Sequence, residues 1–325
     1  MADYLYPLLL KPALHTRVWG GRKLETVMGK SLPTAEPYGE SWEMHDTAVI
    51  ENGALSGLTV REALNRLGTA LVGDNFDPAQ GMPLLLKFLD AADWLSVQVH
   101  PDDAQAAELE GEPRGKTEAW IVLEADPGAQ LVIGVKPGAS TDDLRRAIEA
   151  GKLEDWLVYQ PVSKGDVLFV SAGTVHAIGP GLLIYEIQQS SDTTYRFYDW
   201  NRVGLDGKPR QLHVDKSLAV SKTHAIPAIT RISSAGADVT VIDSPYFKTM
   251  LHRLGGAAPQ SVALNTGGKF QIITCTSGAI DIRTGTSSVL LEKGRTTLLP
   301  AALGSYALSA KRDAQVLRSW PGDGD

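Results

Sequence analysis

The chain alternates apolar and polar residues most clearly at 95–100. There Leu95, Val97 and Val99 fall on one side of an extended segment and Ser96, Gln98 and His100 on the other. Pro101 ends that strand, and Asp102 and Asp103 begin a turn or cap a short helix through Glu110. Further apolar runs follow at 120–125 (WIVLEA), 167–170 (VLFV) and 182–187 (LLIYEI), separated by Gly, Pro and Ser clusters. Short strands at such close spacing predict an antiparallel sandwich or barrel of jelly-roll type.

Helical periodicity is confined to a few places. Residues 57–73 repeat through Val60, Leu64 and Leu67, with Thr59 as N-cap and Gly68 as a break. Residues 140–151 form the clearest helix, capped by Ser140 or Thr141, acidic in its first turn and ended by Gly151. The run PLLLKFLDA at 83–91 is apolar except for Lys87 and Asp90, so Lys87 either snorkels to the surface or points into a polar site. Residues 1–56 read as irregular and aromatic; Glu40, Trp42 and Glu43 are candidates for strand residues at the edge of a pocket, with ordinary packing favoured, and His15 and His45 are spare ligand candidates for which surface or core roles are favoured. Residues 201–213 read as a surface loop.

An internal echo divides the chain. Lys164-Gly165 precedes an apolar run and the turn holding His176, and Lys293-Gly294 precedes a similar run and turn in which Ser305 falls opposite His176. The expectation is a mainly β protein of two related β-domains with a few short helices: residues 1–235, carrying the chemistry, and residues 236–325, carrying no metal.

The polar side of the strand at 95–100 offers an imidazole and an amide, both able to ligate a metal. Glu118 and His176 would complete a set whose wide sequence separations fit ligands gathered from separate strands of a barrel. Two histidines, one carboxylate and one amide suit zinc, or less selectively iron or manganese. A net charge of -7 and the lack of any Lys/Arg-rich run argue against a nucleic-acid surface. The single cysteine, Cys275, excludes an internal disulfide framework and suits a reducing compartment. The apolar patch YPLLL is cut off by Lys11 and Pro12, too short for a membrane span, and the expected location is the cytoplasm.

Several segments together resemble one family. PLLLKFLDAADWLSVQVHPDD, GKTEAW, GDVLFVSAGTVHAIGPG and YEIQQSSDTTYRFYDWNR, with WGG and GESWE nearer the N-terminus, are similar in content and order to type I mannose-6-phosphate isomerases, the short bacterial branch above all. The resemblance implies cupin-type jelly-roll barrels, one bound Zn2+ per chain, and interconversion of mannose 6-phosphate and fructose 6-phosphate through an enediol. It implies His100, Glu118 and His176 as zinc ligands, with Gln98 as a fourth in some members. It places Arg196, Lys116 and Asp192 in catalysis, Asp192 as an acid assisting Arg196, and Lys87, Ser96 and Arg196 in binding the hexose 6-phosphate. The proton-moving group stays open among a lysine, Asp192 and metal-activated water. The helix at 140–151 is short where the long members carry a helical domain. Two other classes share this ligand chemistry or pocket: another cupin-type metalloenzyme such as an iron oxygenase, and a sugar-phosphate-binding protein without turnover. Nothing in the sequence sets an oligomeric state.

Overall fold

The computed structural model describes residues 4–224, 226–285 and 287–324. They fold as a mainly β protein. One seven-stranded antiparallel sheet runs in the order Ile229–Arg231, Asp166–Val170, Glu118–Ala125, Leu182–Gln189, Leu84–Ala91, Ala13–Gly21 and Tyr38–Met44. Two small sheets belong to the same unit: Ala177–Ile178 with Gln130–Val135 and Leu157–Pro161, and Tyr195–Tyr198 with Val97–Val99. An isolated antiparallel bridge between Gln98 and His176 joins the two small sheets.

Every residue of Leu84–Ala91 and of Leu182–Gln189 is buried. Both strands are central and covered on both faces, so alternation no longer separates core from solvent. Leu84, Leu86 and Phe88 enter one core with Leu183, Tyr185 and Ile187. Leu89 enters another with Ile184, Trp120 and Val122. The side chain of Lys87 shares the Leu89 face, which resolves the ambiguity left by the sequence.

The first strand of the chain does not join this sheet. Leu8–Lys11 pairs with Thr296–Leu299 and with Val49–Ile50, extending a second seven-stranded sheet built from the C-terminal strands. A four-stranded sheet, Ser261–Asn265 with Ser305–Ser309, Ala279–Arg283 and Ser288–Glu292, accompanies that second sheet. The chain changes sheets between Arg231 and Asp238. A single apolar cluster nevertheless runs through both units, from Phe88 and Tyr185 to Phe247, Ile272 and Leu317. The Tyr185 hydroxyl also meets Ser319 Oγ at 2.8 Å.

Local signals set the helices. Val60–Leu67 is capped by Thr59 with Glu62 in a reciprocal box, Asp103–Glu110 by Asp102 with Gln105, and Thr141–Glu149 by Ser140 with Asp143. The N-terminal region corrects the irregular reading, since Ala13–Gly21 and Tyr38–Met44 are strands. Register shifts between His15 and Thr16, and between Trp42 and Met44, break their alternation and hide them from a two-residue period. No helix among the described residues is long and apolar enough to cross a membrane.

Candidate active site

Register places one row of side chains across the large sheet. Trp42 stands opposite Lys87, Lys87 opposite Glu186, and Glu186 opposite Trp120. Residues paired in this way project to the same face. Trp120 Nε1 donates to Glu186 Oε2 at 2.8 Å and to Glu118 Oε2, two residues along its own strand, at 3.0 Å. Lys87 Nζ lies 3.4 Å from Glu186 Oε1 and 5.0 Å from the Trp42 ring centre. Lys116 Nζ lies 3.0 Å from Glu118 Oε1.

His100, Glu118 and His176 meet at one end of this row. One ligand atom from each lies within 4.8 Å of the others, and all three residues are fully buried. His100 Nδ1 lies 3.0 Å from the Thr193 carbonyl and His176 Nδ1 2.8 Å from the Thr174 carbonyl. A carbonyl only accepts, so each Nδ1 carries the proton and each Nε2 presents a lone pair. Those two Nε2 atoms and Glu118 Oε1 are buried without a hydrogen bond, although His100 Nε2 and Oε1 are only 3.0 Å apart. Two buried imidazole lone pairs with no donor, converging on a carboxylate oxygen whose cationic neighbour is Lys116, are what a cation site requires and what a structural cluster avoids. The residues present therefore fit a metal ion of the zinc class. The paired backbone bonds of Gln98 and His176, N to O at 2.9 Å each way, bring Gln98 beside this set.

The electrostatics agree. Burial, with the Lys116 charge, lowers His100 to about 3, and burial lowers His176 as well, so both imidazoles are neutral. Burial works against the Glu118 carboxylate, but Lys116 beside it holds it well below the usual range. Glu186 goes the other way, pushed up to about 7 by burial and by the Glu118 charge.

An open cleft of about 620 Å³ adjoins the cluster. Lys87, Ser96, Gln98, Lys116, Asp192 and Arg196 all line it, so the structure gathers every non-histidine site residue expected from sequence, Glu118 excepted, around one cleft. Glu118 lies immediately behind Lys116 with the two histidines. Arg196 Nη1 donates to the Gln211 carbonyl at 2.8 Å, and its Nε is buried without a partner. Among the described residues no hydrogen bond or ion pair joins Asp192 to Arg196. The Asp192 charge acts instead on Lys116, His15 and His45. The imidazoles of His15 and His45 flank Trp42, ring centres 4.8 and 4.9 Å away.

Sequence reasoning passed over Arg17, Glu186 and Arg210 and, having offered Glu40 as a pocket-edge strand residue, favoured packing for it. Glu40 takes a two-pronged ion pair from Arg17 at 2.9 and 3.0 Å and a bond from Trp42 Nε1 at 2.7 Å. Glu186 and Arg210 also line the cleft. Glu186 sits in the apolar run LLIYEI and Arg210 in a polar loop, and only the alternation of LLIYEI, placing Glu186 on the Leu182 and Ile184 face, hints at either.

The chain from 199 to 213 folds back over the cleft mouth. Trp200 and Asn201 both have left-handed backbones, with φ of 56° and 53°. Such a conformation is costly for a bulky residue and needs anchoring. Trp200 Nε1 donates to the Leu95 carbonyl at 2.7 Å, its ring stacks at 4.9 Å on Trp94, and Asn201 Nδ2 donates to the Tyr198 hydroxyl at 3.0 Å.

Comparison with known proteins agrees with this geometry. Residues 8–118 match the family model for the catalytic domain of type I phosphomannose isomerase. The chain is 37% identical to a mannose-6-phosphate isomerase of Streptococcus mutans, over 98% of this chain and 96% of the relative. It is 35% identical to the mannose-6-phosphate isomerase ManA of Bacillus subtilis, over 95% and 98%. A crystal structure of the mannose 6-phosphate isomerase from Bacillus subtilis superposes with a TM-score of 0.86 at 28% identity, covering 96% of this chain and 99% of that one. A putative mannosephosphate isomerase from Archaeoglobus fulgidus, 21% identical with a TM-score of 0.77, shares the fold. With a full-length relative at this identity and a matching catalytic-domain model, the chain belongs to the mannose-6-phosphate isomerase family of enzymes, type I.

Proposed function

We propose that this chain interconverts mannose 6-phosphate and fructose 6-phosphate in the cleft, by moving a proton between C2 and C1 through an enediol. The observation that carries this reading is the pair of buried, unpartnered imidazole lone pairs converging on the Glu118 carboxylate at the end of a cation-lined cleft. Full-length relatives that bear the isomerase name support it.

His100, Glu118 and His176 would hold one zinc ion, with Gln98 as a further ligand. When bound, zinc supplies a Lewis acid that stabilises negative charge developing on a sugar oxygen. The chain's own groups do the rest. Lys116, 3.0 Å from Glu118, brings a fixed positive charge to the same end of the cleft. Glu186 lines the cleft between Lys87 and Trp120, and its carboxylate is the group placed to take a proton from one carbon and return it to the other. Asp192 and Arg196 line the same cleft, and Ser96 offers a buried hydroxyl. Lys87, Ser96 and Arg196 bind the phosphorylated hexose, whose dianionic end calls for cationic donors.

The test is a coupled assay of the metal-replete protein with mannose 6-phosphate, repeated after chelation and after zinc is restored. The reading requires turnover that chelation abolishes and zinc returns.

A further inference from the structure

Each cation in the cleft has an account to settle with nearby acids. Lys87 faces Glu186, Lys116 faces Glu118, and Arg17 is clamped by Glu40. The mouth is different. There Asp199, 5% exposed, receives two guanidinium groups at once. Arg210 donates Nε to Oδ2 at 2.6 Å and Nη2 to Oδ1 at 2.5 Å, and Arg202 donates Nε and Nη2 to Oδ1 at 3.2 and 3.1 Å. Arg196 feels the charges of Arg210, Arg202 and Asp199. Two guanidinium groups therefore share one buried carboxylate, with the Arg196 charge close by. Two other acids stand near and neither balances the excess. Asp93, which pairs with Arg202 Nη1 at 3.0 Å, is exposed and screened by water. Asp206 also lines the cleft, but it is exposed, makes no ion pair with Arg202 or Arg210, and accepts from the Lys208 backbone through Oδ1.

The donors left over converge on the cleft. Arg210 lines it, and its Nη1 has no hydrogen bond among the described residues. Arg196 lines it too, with Nε buried and unpartnered. A short bridge between Val203 and Pro209 turns the loop back and sets Arg210 at the mouth. An excess of positive charge with free planar donors suits a phosphate dianion better than a neutral sugar ring.

We propose that Arg210, aimed by Asp199, recognises the phosphate of the substrate at the cleft mouth together with Arg196. Asp199 is a positioning residue: it fixes the guanidinium plane and leaves Nη1 free. The inference rests on the sugar-phosphate reading above, but the binding of phosphate can be measured without turnover.

The experiment uses full-length, zinc-replete Arg210→Gln and Arg210→Lys. Asp199 keeps Arg202 as a partner in both, and zinc content with thermal unfolding checks the fold. Calorimetry with inorganic phosphate gives the affinity, and steady-state kinetics with mannose 6-phosphate split KM from kcat. In Arg210→Gln, phosphate affinity falls and KM rises by roughly 10- to 100-fold, the scale of one lost charged hydrogen bond, while kcat changes far less. Arg210→Lys, keeping charge but not the fork, recovers part of the loss. Wild-type phosphate affinity and KM in a folded Arg210→Gln overturn the inference, as does a fall in kcat with KM unchanged. Wild-type protein that binds phosphate through Arg210 yet does not turn over mannose 6-phosphate would instead contradict the proposed function alone.

Discussion

Lys87 and Glu186 stand opposite each other on neighbouring antiparallel strands, Nζ and Oε1 3.4 Å apart, with both side chains only 5% exposed. Removing one member of such a pair strands the other in a low-dielectric interior. Lys87→Met should therefore cost ~3 kcal/mol of stability at about pH 8. The cost should be smaller near pH 6, because Glu186, pushed up to about 7 already, loses the opposing Lys87 charge and takes up a proton. The double variant Lys87→Met/Glu186→Leu should regain most of the stability and none of the turnover. Urea unfolding at the two pH values, with an activity assay, checks both parts. Equal losses in the single variant at both pH values would contradict the burial argument.

The metal set makes a separate prediction. Metal analysis of the purified chain should find about one zinc ion per chain. His176→Ala removes one of three converging acceptors, so metal content and turnover should fall together while the β-sheet circular dichroism signal persists. Full turnover in a metal-free preparation would refute the assignment.

Glu40 carries a pH signature of its own. Burial pushes its carboxyl up, but Lys87 and the two-pronged Arg17 contact overcome this and hold it at about 2. A folded value below the unfolded one stabilises the fold fully above about 4.5, and that contribution is lost as pH falls towards 2. The gap in unfolding free energy between wild type and Glu40→Gln, on the order of 3 kcal/mol at neutral pH, should therefore narrow steadily below about pH 4.5. A gap that stays constant with pH would show that the charge on Glu40 adds nothing to stability.

Ser305 tests the internal echo. It opens the strand Ser305–Ser309, is exposed, and accepts a hydrogen bond from Asn265 Nδ2 at 3.1 Å. No ligand cluster among the described residues includes it. Ser305→Ala should leave zinc content and turnover at wild-type values. A second metal ion bound near residue 305 would overturn the account of the C-terminal unit.

What the sequence discloses and what it hides have physical causes. Asp102, Thr59 and Ser140 announce three helices because a cap is a local interaction, complete within four residues. The ligands His100, Glu118 and His176 stand out because their residue types are uncommon in apolar strands. Arg17 was opaque, and Glu40 legible only as one of two readings, because register shifts break the alternation around them. Arg210 was opaque because its partner Asp199 is a contact made by a loop folding back, and a polar loop looks alike whether it meets water or a cleft. The pairing of Leu8–Lys11 with strands near residue 297 is a contact across almost the whole chain, and nothing local encodes it.

The central claim is that this cleft isomerises a hexose 6-phosphate by proton transfer. The most direct measurement is nuclear magnetic resonance of zinc-replete protein with mannose 6-phosphate in deuterated water. The account predicts fructose 6-phosphate carrying some deuterium at C1, because a protein group such as the Glu186 carboxylate handles the migrating proton and exchanges with solvent. It also predicts far slower conversion of unphosphorylated mannose, which lacks the group that positions the reacting carbons. Mannose 6-phosphate left unchanged by protein that holds its zinc would contradict the account.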